Sequence, residues 1–433
     1  AFVFRSADSE LEGKGDGNSD IYVKVFTGGL DVSIIEPNQH RVVDPGHELT
    51  FLAAASMEAD LSLQLNAEEV ESLTGESIDY SFTFDSSGDY WIRIFAYADG
   101  QTAADSVFIH VKGEEQTAPL PEGVNEGINY LDKQTAVLVL YAPLKEDVYL
   151  IGDFNKWIPN TASRMIRDGD HFWFYLDDLN PGEEYGYQYL VEGKLRIADP
   201  YTEKTLDPND KWIDEATYPG LKPYPSGLTT GITSLLQTAQ EAYDWSTTSF
   251  TAPPQEDLVI YELLVRDFLA AHDWKTLTDT LSYLDRLGIN AIELMPFNEF
   301  EGNESWGYNP SFYFAVDKYY GPARDLKVFI DSCHKRGLAV IMDMVLNHSY
   351  GQSPLVQMYF EMGKVSPDNP WYNVESPNPV FSWGYDFDHE SPHTQDFVDR
   401  VNAFWLDSFK VDGFRFDFTK GFTNTPGDGS GYD

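Results

Sequence analysis

From the N-terminus to about Lys112, apolar and polar residues alternate in short runs broken by turn-forming residues. The runs are Ile21–Phe26 before Gly28-Gly29, Leu49–Ala53, Tyr80–Phe84 before Ser87-Gly88, and Tyr90–Phe95. A period of two puts every second side chain on one face of a sheet, so this pattern predicts a β-sandwich. Residues 28–113 are expected to form an immunoglobulin-like unit whose last two strands are Tyr90–Phe95 and Ser106–Val111, with residues 1–27 as the tail of a preceding β module. Gly113–Pro121, with two Glu and two Pro, reads as a linker. A second set of runs, Ala136–Leu140, Val148–Ile151, His171–Leu176 and Tyr185–Val191, predicts another β-sandwich over 122–225.

After about Gln255 the pattern changes to strand, helix, strand. Val259–Leu264 is a short apolar run without clean alternation, as a strand buried on both faces requires. Leu277, Leu281, Leu284 and Leu287 follow at helical spacing and stop at Gly288, and Ala291–Leu294 is a second strand. Leu326, Phe329, Ile330 and Cys333 mark a helix ending at Gly337, before a third strand over Leu338–Leu346. Phe397, Val401, Phe404 and Trp405 mark another helix, and Gly413–Phe418 is the fourth strand. Repeated strand–helix units imply a parallel sheet. The expected fold is therefore multidomain: N-terminal all-β immunoglobulin-like sandwiches followed, over 255–433, by the first half of a (β/α)8 TIM barrel.

Composition narrows the function. At about 150 residues per domain, a chain of 433 residues has room for several cores. The balance of 29 Lys and Arg against 71 Asp and Glu gives a net charge of −42, a surface that repels phosphate backbones and anionic headgroups. Nucleic-acid and membrane-surface partners are not expected, and no apolar run reaches the ~18–20 residues of a membrane span. Cys333, the single cysteine, leaves no intrachain disulfide and no thiolate metal cage, and its helical spacing makes it a core residue. The chain opens Ala1-Phe2-Val3-Phe4-Arg5, without an initiator Met or a signal-peptide pattern, and so reads as a piece of something longer.

In parallel α/β architectures the reactive groups sit at the carboxyl ends of the strands. Here those positions hold Arg266-Asp267, Glu293 to Pro296, Asp343 to His348, and Arg415 with Asp417. Arg415 and Asp417 are two apart on an extended strand and share a face, so the guanidinium can hold the carboxylate ionised and oriented. That is the state a glycosyl nucleophile requires.

Asp343-Met344-Val345-Leu346-Asn347-His348 resembles the first signature stretch of the α-amylase family of glycoside hydrolases, and Gly413-Phe414-Arg415-Phe416-Asp417-Phe418-Thr419-Lys420 resembles the second. Trp306-Gly307-Tyr308-Asn309-Pro310 and Val259-Ile260-Tyr261-Glu262-Leu263 are similar to the family's pullulanase-like branches. Gly152-Asp153-Phe154-Asn155-Lys156-Trp157 and Asp199-Pro200-Tyr201 resemble the early-set sandwich that precedes the barrel in such enzymes. Trp157 is expected to cover the sandwich edge rather than stack on a sugar.

By position, the resemblance implies that Asp417 is the nucleophile and Arg415 its orienting cation. Tyr308 and His348 would grip the sugar on the non-leaving side, Asp343 would support the site through hydrogen bonds, and Lys420 would line the leaving side. Asn347 matches a residue that often gives an oxygen to a structural Ca²⁺, whereas Gly421 stands where a His is common. The family's second carboxyl, the general acid/base, follows a fifth strand and has no counterpart before Asp433; neither Asp428 nor Asp433 matches it. The expected function is a retaining, endo-acting α-glucan hydrolase on α-1,4 bonds, acting on starch-like poly- or oligosaccharide without an organic cofactor. A pullulanase-like α-1,6 debranching enzyme and a non-catalytic glycan-binding homologue are the alternatives. The resemblance places the protein outside the cell, in the periplasm or at the cell surface.

Overall fold

The computed structural model describes residues 28–378 and 382–424. The expected β tail over 1–27 lies outside them. The described chain divides into two compact units, one ending at Gly113 and one beginning at Glu114.

The first unit has six strands: β1 (Val32–Glu36), β2 (Arg41–Val43), β3 (His47–Leu65), β4 (Glu68–Phe84), β5 (Gly88–Ala98) and β6 (Gln101–Val111). β4 pairs along one edge of β3 for nearly its whole length, while the other edge of β3 pairs first with β1 and then, past a register shift, with β5. The pairing thus joins all six strands in one continuous sheet, and it does not establish the two separate sheets of the expected immunoglobulin-like sandwich. Leu49, Phe51, Ala53, Ala55, Ala59, Leu61 and Leu63 all bury, because odd positions of β3 share one face. They meet Ile78, Phe82, Ile92, Ile94, Val107 and Ile109 in a single core.

The second unit begins with an antiparallel sandwich. One sheet holds β7 (Gly127–Tyr130), β8 (Ala136–Tyr141), β10 (Ile166–Asp168) and β11 (His171–Leu176). The other holds β9 (Val148–Gly152), β12 (Glu184–Val191), β13 (Leu195–Ile197), β14 (Thr205–Leu206) and β15 (Thr233–Gln237). Because β15 pairs with β12, the sandwich runs past the limit of 225 expected from the sequence. Ala136, Leu138 and Leu140 of β8 point to the inner core, while Val137 and Val139 bury with Trp173 on the outer face. Ala118, Leu120 and Val124 cover that outer face, and the Trp173 indole donates to the Ala118 carbonyl at 3.0 Å. The expected linker is therefore a strap pinned to the sheet. Trp157 is buried, with its indole N–H on Asp153 (3.0 Å) and its ring against Gly186.

The parallel sheet consists of β16 (Ile260–Leu263), β17 (Ala291–Leu294), β18 (Ala339–Val345) and β23 (Gly413–Asp417), side by side in that order. This is a partial, barrel-like sheet. Its helices are α2 (Trp274–Arg286), α3 (Ala323–Lys335) and α5 (Pro392–Phe404), with short turns α1 (Val265–Phe268) and α4 (Pro354–Gln357). The Asp273 side chain caps α2 through the Thr276 amide (2.6 Å), and Trp274, Leu277, Leu281 and Leu284 form its buried stripe. Gly288 and Gly337 follow α2 and α3 with φ of +78° and +75°, the left-handed geometry that lets the chain leave a helix. The excursion between β18 and α5 carries β19 (His348–Ser349), β20 (Phe360–Glu361), β21 (Lys364–Val365) and β22 (Tyr385–Asp386).

Sandwich and parallel sheet share one core, which runs from Leu138 and Tyr187 to Leu281, Phe329 and Val401. Polar ties cross the same junction. Buried Lys318 pairs with Glu299 and with Asp210 (3.5 Å), and its ammonium donates to Thr205 Oγ1 at 2.8 Å. Asp331 of α3 accepts from the Ser246 hydroxyl (2.5 Å) and the Thr247 amide (2.9 Å), holding the 240s segment to the helix. Burial alone would raise the Asp331 carboxyl, but these hydrogen bonds pull it well below the usual range.

Candidate active site

The register of the parallel sheet explains why the signature residues meet. Asp343 of β18 stands opposite Arg415 of β23, and Val345 stands opposite Asp417. Asp343, Arg415 and Asp417 therefore share one face at the carboxyl end of the sheet. Arg415 Nη1 donates to Asp343 Oδ1 (3.0 Å) and Oδ2 (3.2 Å) and to Asp417 Oδ1 (2.5 Å). Between two carboxylates the guanidinium is held even more firmly protonated than usual, although its partial burial works the other way.

Asp343 is fully buried, and both its oxygens are engaged, since the Tyr308 hydroxyl donates to Oδ2 at 2.7 Å. Burial pushes its carboxyl up to about 6, against the opposing pull of Tyr308 and Arg415. The phenol of Tyr308 is raised by its own burial and by the hydrogen bond it donates to this carboxylate. Tyr308 is aimed by Gly307, whose φ is +88° and where a Cβ would lie 2.4 Å from the Pro296 carbonyl oxygen. Only glycine fits that turn.

His348 is buried behind Tyr308. Its Nε2 donates to the Tyr308 carbonyl (3.0 Å), and Nδ1 accepts from Asn347 Nδ2 (2.8 Å), an assignment that makes the ring neutral. Burial lowers its pKa and favours the same state. Both ring nitrogens are thus occupied within the protein, and His348 fixes the backbone that presents Tyr308. Lys420 lies on the short turn Thr419–Gly421 just past the nucleophile strand and is partly exposed.

Asn347 Oδ1 is buried without a hydrogen-bond partner among the described residues, a feature that suits a cation. Ca²⁺ needs six to eight oxygens, and among the described residues the only cluster of three acidic, His or Cys side chains lies elsewhere. A Cβ on Gly421 would come within 2.7 Å of Asn347 Cβ, so the chain packs backbone where the family often has a His. Among the described residues no cluster of carboxylates or imidazoles joins Asn347 Oδ1.

Two features are not evident from the sequence, one of them the convergence of residues that it already placed at or near strand ends. Glu262, Glu293 and Asp343 bring carboxylate oxygens within 4.8 Å of one another on three neighbouring strands. Burial and the charge of Glu262 raise the Glu293 carboxyl, and Arg415 opposes that shift as the facing cation. The signal was available in the parity of the strands, which in register place Glu262 beside Glu293. Trp383 is the other: half exposed, it sits edge-on to Phe418, the neighbour of Asp417, at 5.2 Å between ring centres. The next residue, Gly384, has φ +58° and is wedged against the Ser349 carbonyl and the His348 ring. Nothing in a local pattern marks such a tryptophan, because its position depends on β22 pairing with β19.

A parallel β/α sheet that gathers polar groups at the carboxyl ends of its strands is the architecture of an enzyme's catalytic domain. Residues 248–384 match the alpha amylase catalytic domain. The chain is 29% identical over 291 residues to malto-oligosyltrehalose trehalohydrolase of Saccharolobus solfataricus, covering 66% of this chain and 44% of that protein. It is 27% identical over 335 residues to the 1,4-alpha-glucan branching enzyme GlgB of Oceanobacillus iheyensis, covering 73% and 48%. The chain spans less than half the length of either relative. In fold it is similar to the catalytic module of the glycogen-degrading pneumococcal virulence factor SpuA (TM-score 0.54, 22% identity, 69% of this chain and 47% of that one). The same holds for the group B Streptococcus pullulanase SAP in complex with maltotetraose (TM-score 0.53, 17% identity, 88% and 54%). Over this region the chain is similar to enzymes of the α-amylase family, and the relatives named here are glycoside hydrolases and transferases. No helix among the described residues is long and apolar enough to cross a membrane.

Proposed function

We propose that the protein is a retaining, endo-acting α-glucan hydrolase that cuts α-1,4 bonds of starch-like polysaccharide, with Asp417 as nucleophile. The observation that carries this reading is the Arg415 bridge, which leaves Asp417 aimed at the carboxyl end of the sheet while Asp343 is locked behind it.

In this reading an Asp417 oxygen attacks the anomeric carbon and the bond to the leaving oxygen breaks as that oxygen takes a proton. Water, losing a proton to the same acid/base group, then displaces Asp417, and two inversions return the original configuration. Arg415 keeps the attacking carboxylate ionised and in line, and Tyr308 offers its ring to the bound sugar. Asp343 is not the proton donor, despite its raised pKa, because it is inaccessible and both oxygens are taken. The donor is a second carboxyl ~5–5.5 Å from the nucleophile.

The test is the action of the full-length protein on amylose and on pullulan, followed by proton NMR of the newly formed anomers. Internal cleavage of amylose with the α-anomer appearing first supports the proposal. Cleavage confined to pullulan's α-1,6 bonds assigns debranching instead, and saccharide binding without turnover assigns a binding protein.

A further inference from the structure

A cavity of about 520 Å³ opens where the sandwich meets the excursion that carries His348. The sandwich side contributes Lys194, Arg196 and Thr230, and the barrel side Gln357, Phe360 and Tyr385. Phe360 and Tyr385 form a right-angled corner, with ring centres 5.5 Å apart and planes at 90°, and Phe360 is 40% exposed. Gln357 is held by a 2.9 Å hydrogen bond from its amide nitrogen to the Gly351 carbonyl, so its oxygen is fixed in place. Tyr385 pairs in register with Ser349, the residue after His348, which ties the far wall to the candidate active site.

We propose that this cavity is a second saccharide site, separate from the cleft at Asp417, that takes a short stretch of neutral α-glucan. The volume and the mix of aromatic wall with a few polar groups are those of ligand pockets in general. Two ring faces match the apolar faces of pyranose rings. Lys194, Arg196, Thr230 and Gln357 offer donors and acceptors of the kind that sugar hydroxyls need. Among the described residues no carboxylate lines the cavity, which by itself would also suit an anion. The aromatic corner of Phe360 and Tyr385 favours a sugar ring over a bare anion, and the net charge of −42 adds a long-range bias against anions. The inference rests on the α-glucan reading of the active site.

The experiment is calorimetric titration of maltotetraose into the protein bearing Tyr308→Ala, which cripples the cleft, alone and combined with Phe360→Ala, Phe360→Leu or Lys194→Ala. Thermal unfolding identifies any variant that fails to fold, and Lys194, being exposed, gives a test free of that problem. Binding that survives Tyr308→Ala and weakens about ten-fold with Phe360→Ala and several-fold with Lys194→Ala supports the second site. Binding that disappears with Tyr308→Ala alone, or that ignores both cavity substitutions, overturns it. Uptake of glucose 6-phosphate in place of maltotetraose overturns the neutral-glucan assignment. Hydrolysis with Asp417 intact and no cavity binding would fail this inference alone, whereas cavity binding without Asp417-dependent hydrolysis would fail the proposed function alone.

Discussion

Arg415 and Asp417 stand two residues apart on one strand and are joined Nη1 to Oδ1 at 2.5 Å, with the same nitrogen also bound to Asp343. One cation thus ties an accessible carboxylate to an inaccessible one. Replacing it by a lysine keeps the charge but, on a shorter and flexible stem, moves the donor away from the point where Nη1 meets both carboxylates. Arg415→Lys is expected to lower kcat on the order of 10²-fold with little change in KM, because the interaction matters most as charge redistributes in the transition state. Steady-state kinetics on amylose measure this, and a kcat within a few-fold of wild type would show that Arg415 is only a strut.

Asp343 makes a pH prediction. Its folded-state pKa of about 6 lies above the ordinary 3.8, so between about pH 4 and 6 the folded protein holds a proton that the unfolded chain releases. Stability from this group is therefore full at low pH and falls as pH rises through that window, by roughly 3 kcal/mol at most. Urea midpoints of wild type and Asp343→Asn, taken from pH 4 to 7, should differ by an amount that changes with pH in this direction. A difference independent of pH would contradict it.

Lys318 is expected to govern stability rather than chemistry. It is buried between Glu299, Asp210 and Thr205, and removing it strands two acids away from water. Lys318→Met should cost about 3–5 kcal/mol, and adding Glu299→Gln should recover part of it. Thermal or urea unfolding reads both, and an unchanged transition in the single variant would mean that the network carries no weight.

Much of the parallel sheet was legible because apolar strands and amphipathic helices leave strong local patterns: all four strands and three main helices lie within a few residues of the expected spans, although Ile260 and Glu262 of β16 are exposed, so the first strand is not buried on both faces as expected. Arg415 and Asp417 were legible for the same reason, as period two fixes their common face. What stayed hidden depends on long-range pairing. The hairpin of β3 and β4 extends through Glu58, Asp60, Glu69 and Glu71, polar residues on the exposed face that break up the look of a strand. Lys318, Asp210 and Thr205 come together only when sandwich and barrel pack, and β15 joins its sheet across the 41 residues between Val191 and Thr233.

Gly307 tests whether the placement of Tyr308 is built into the turn. Gly307→Ala pushes a methyl against the Pro296 carbonyl in a backbone conformation that alanine disfavours. It should cost about 1–3 kcal/mol and reduce affinity for maltotetraose, as Tyr308 shifts. Titration with full retention of affinity would show that Tyr308 finds its place without the turn.

The most direct measurement is the action of Asp417→Asn in the full-length protein on amylose, read beside its thermal unfolding. Loss of hydrolysis to the background level with an unfolding transition close to wild type is the result expected if Asp417 forms the covalent bond to the sugar. Substantial hydrolysis by the Asn variant, or loss of activity only together with loss of the folded state, would contradict the assignment.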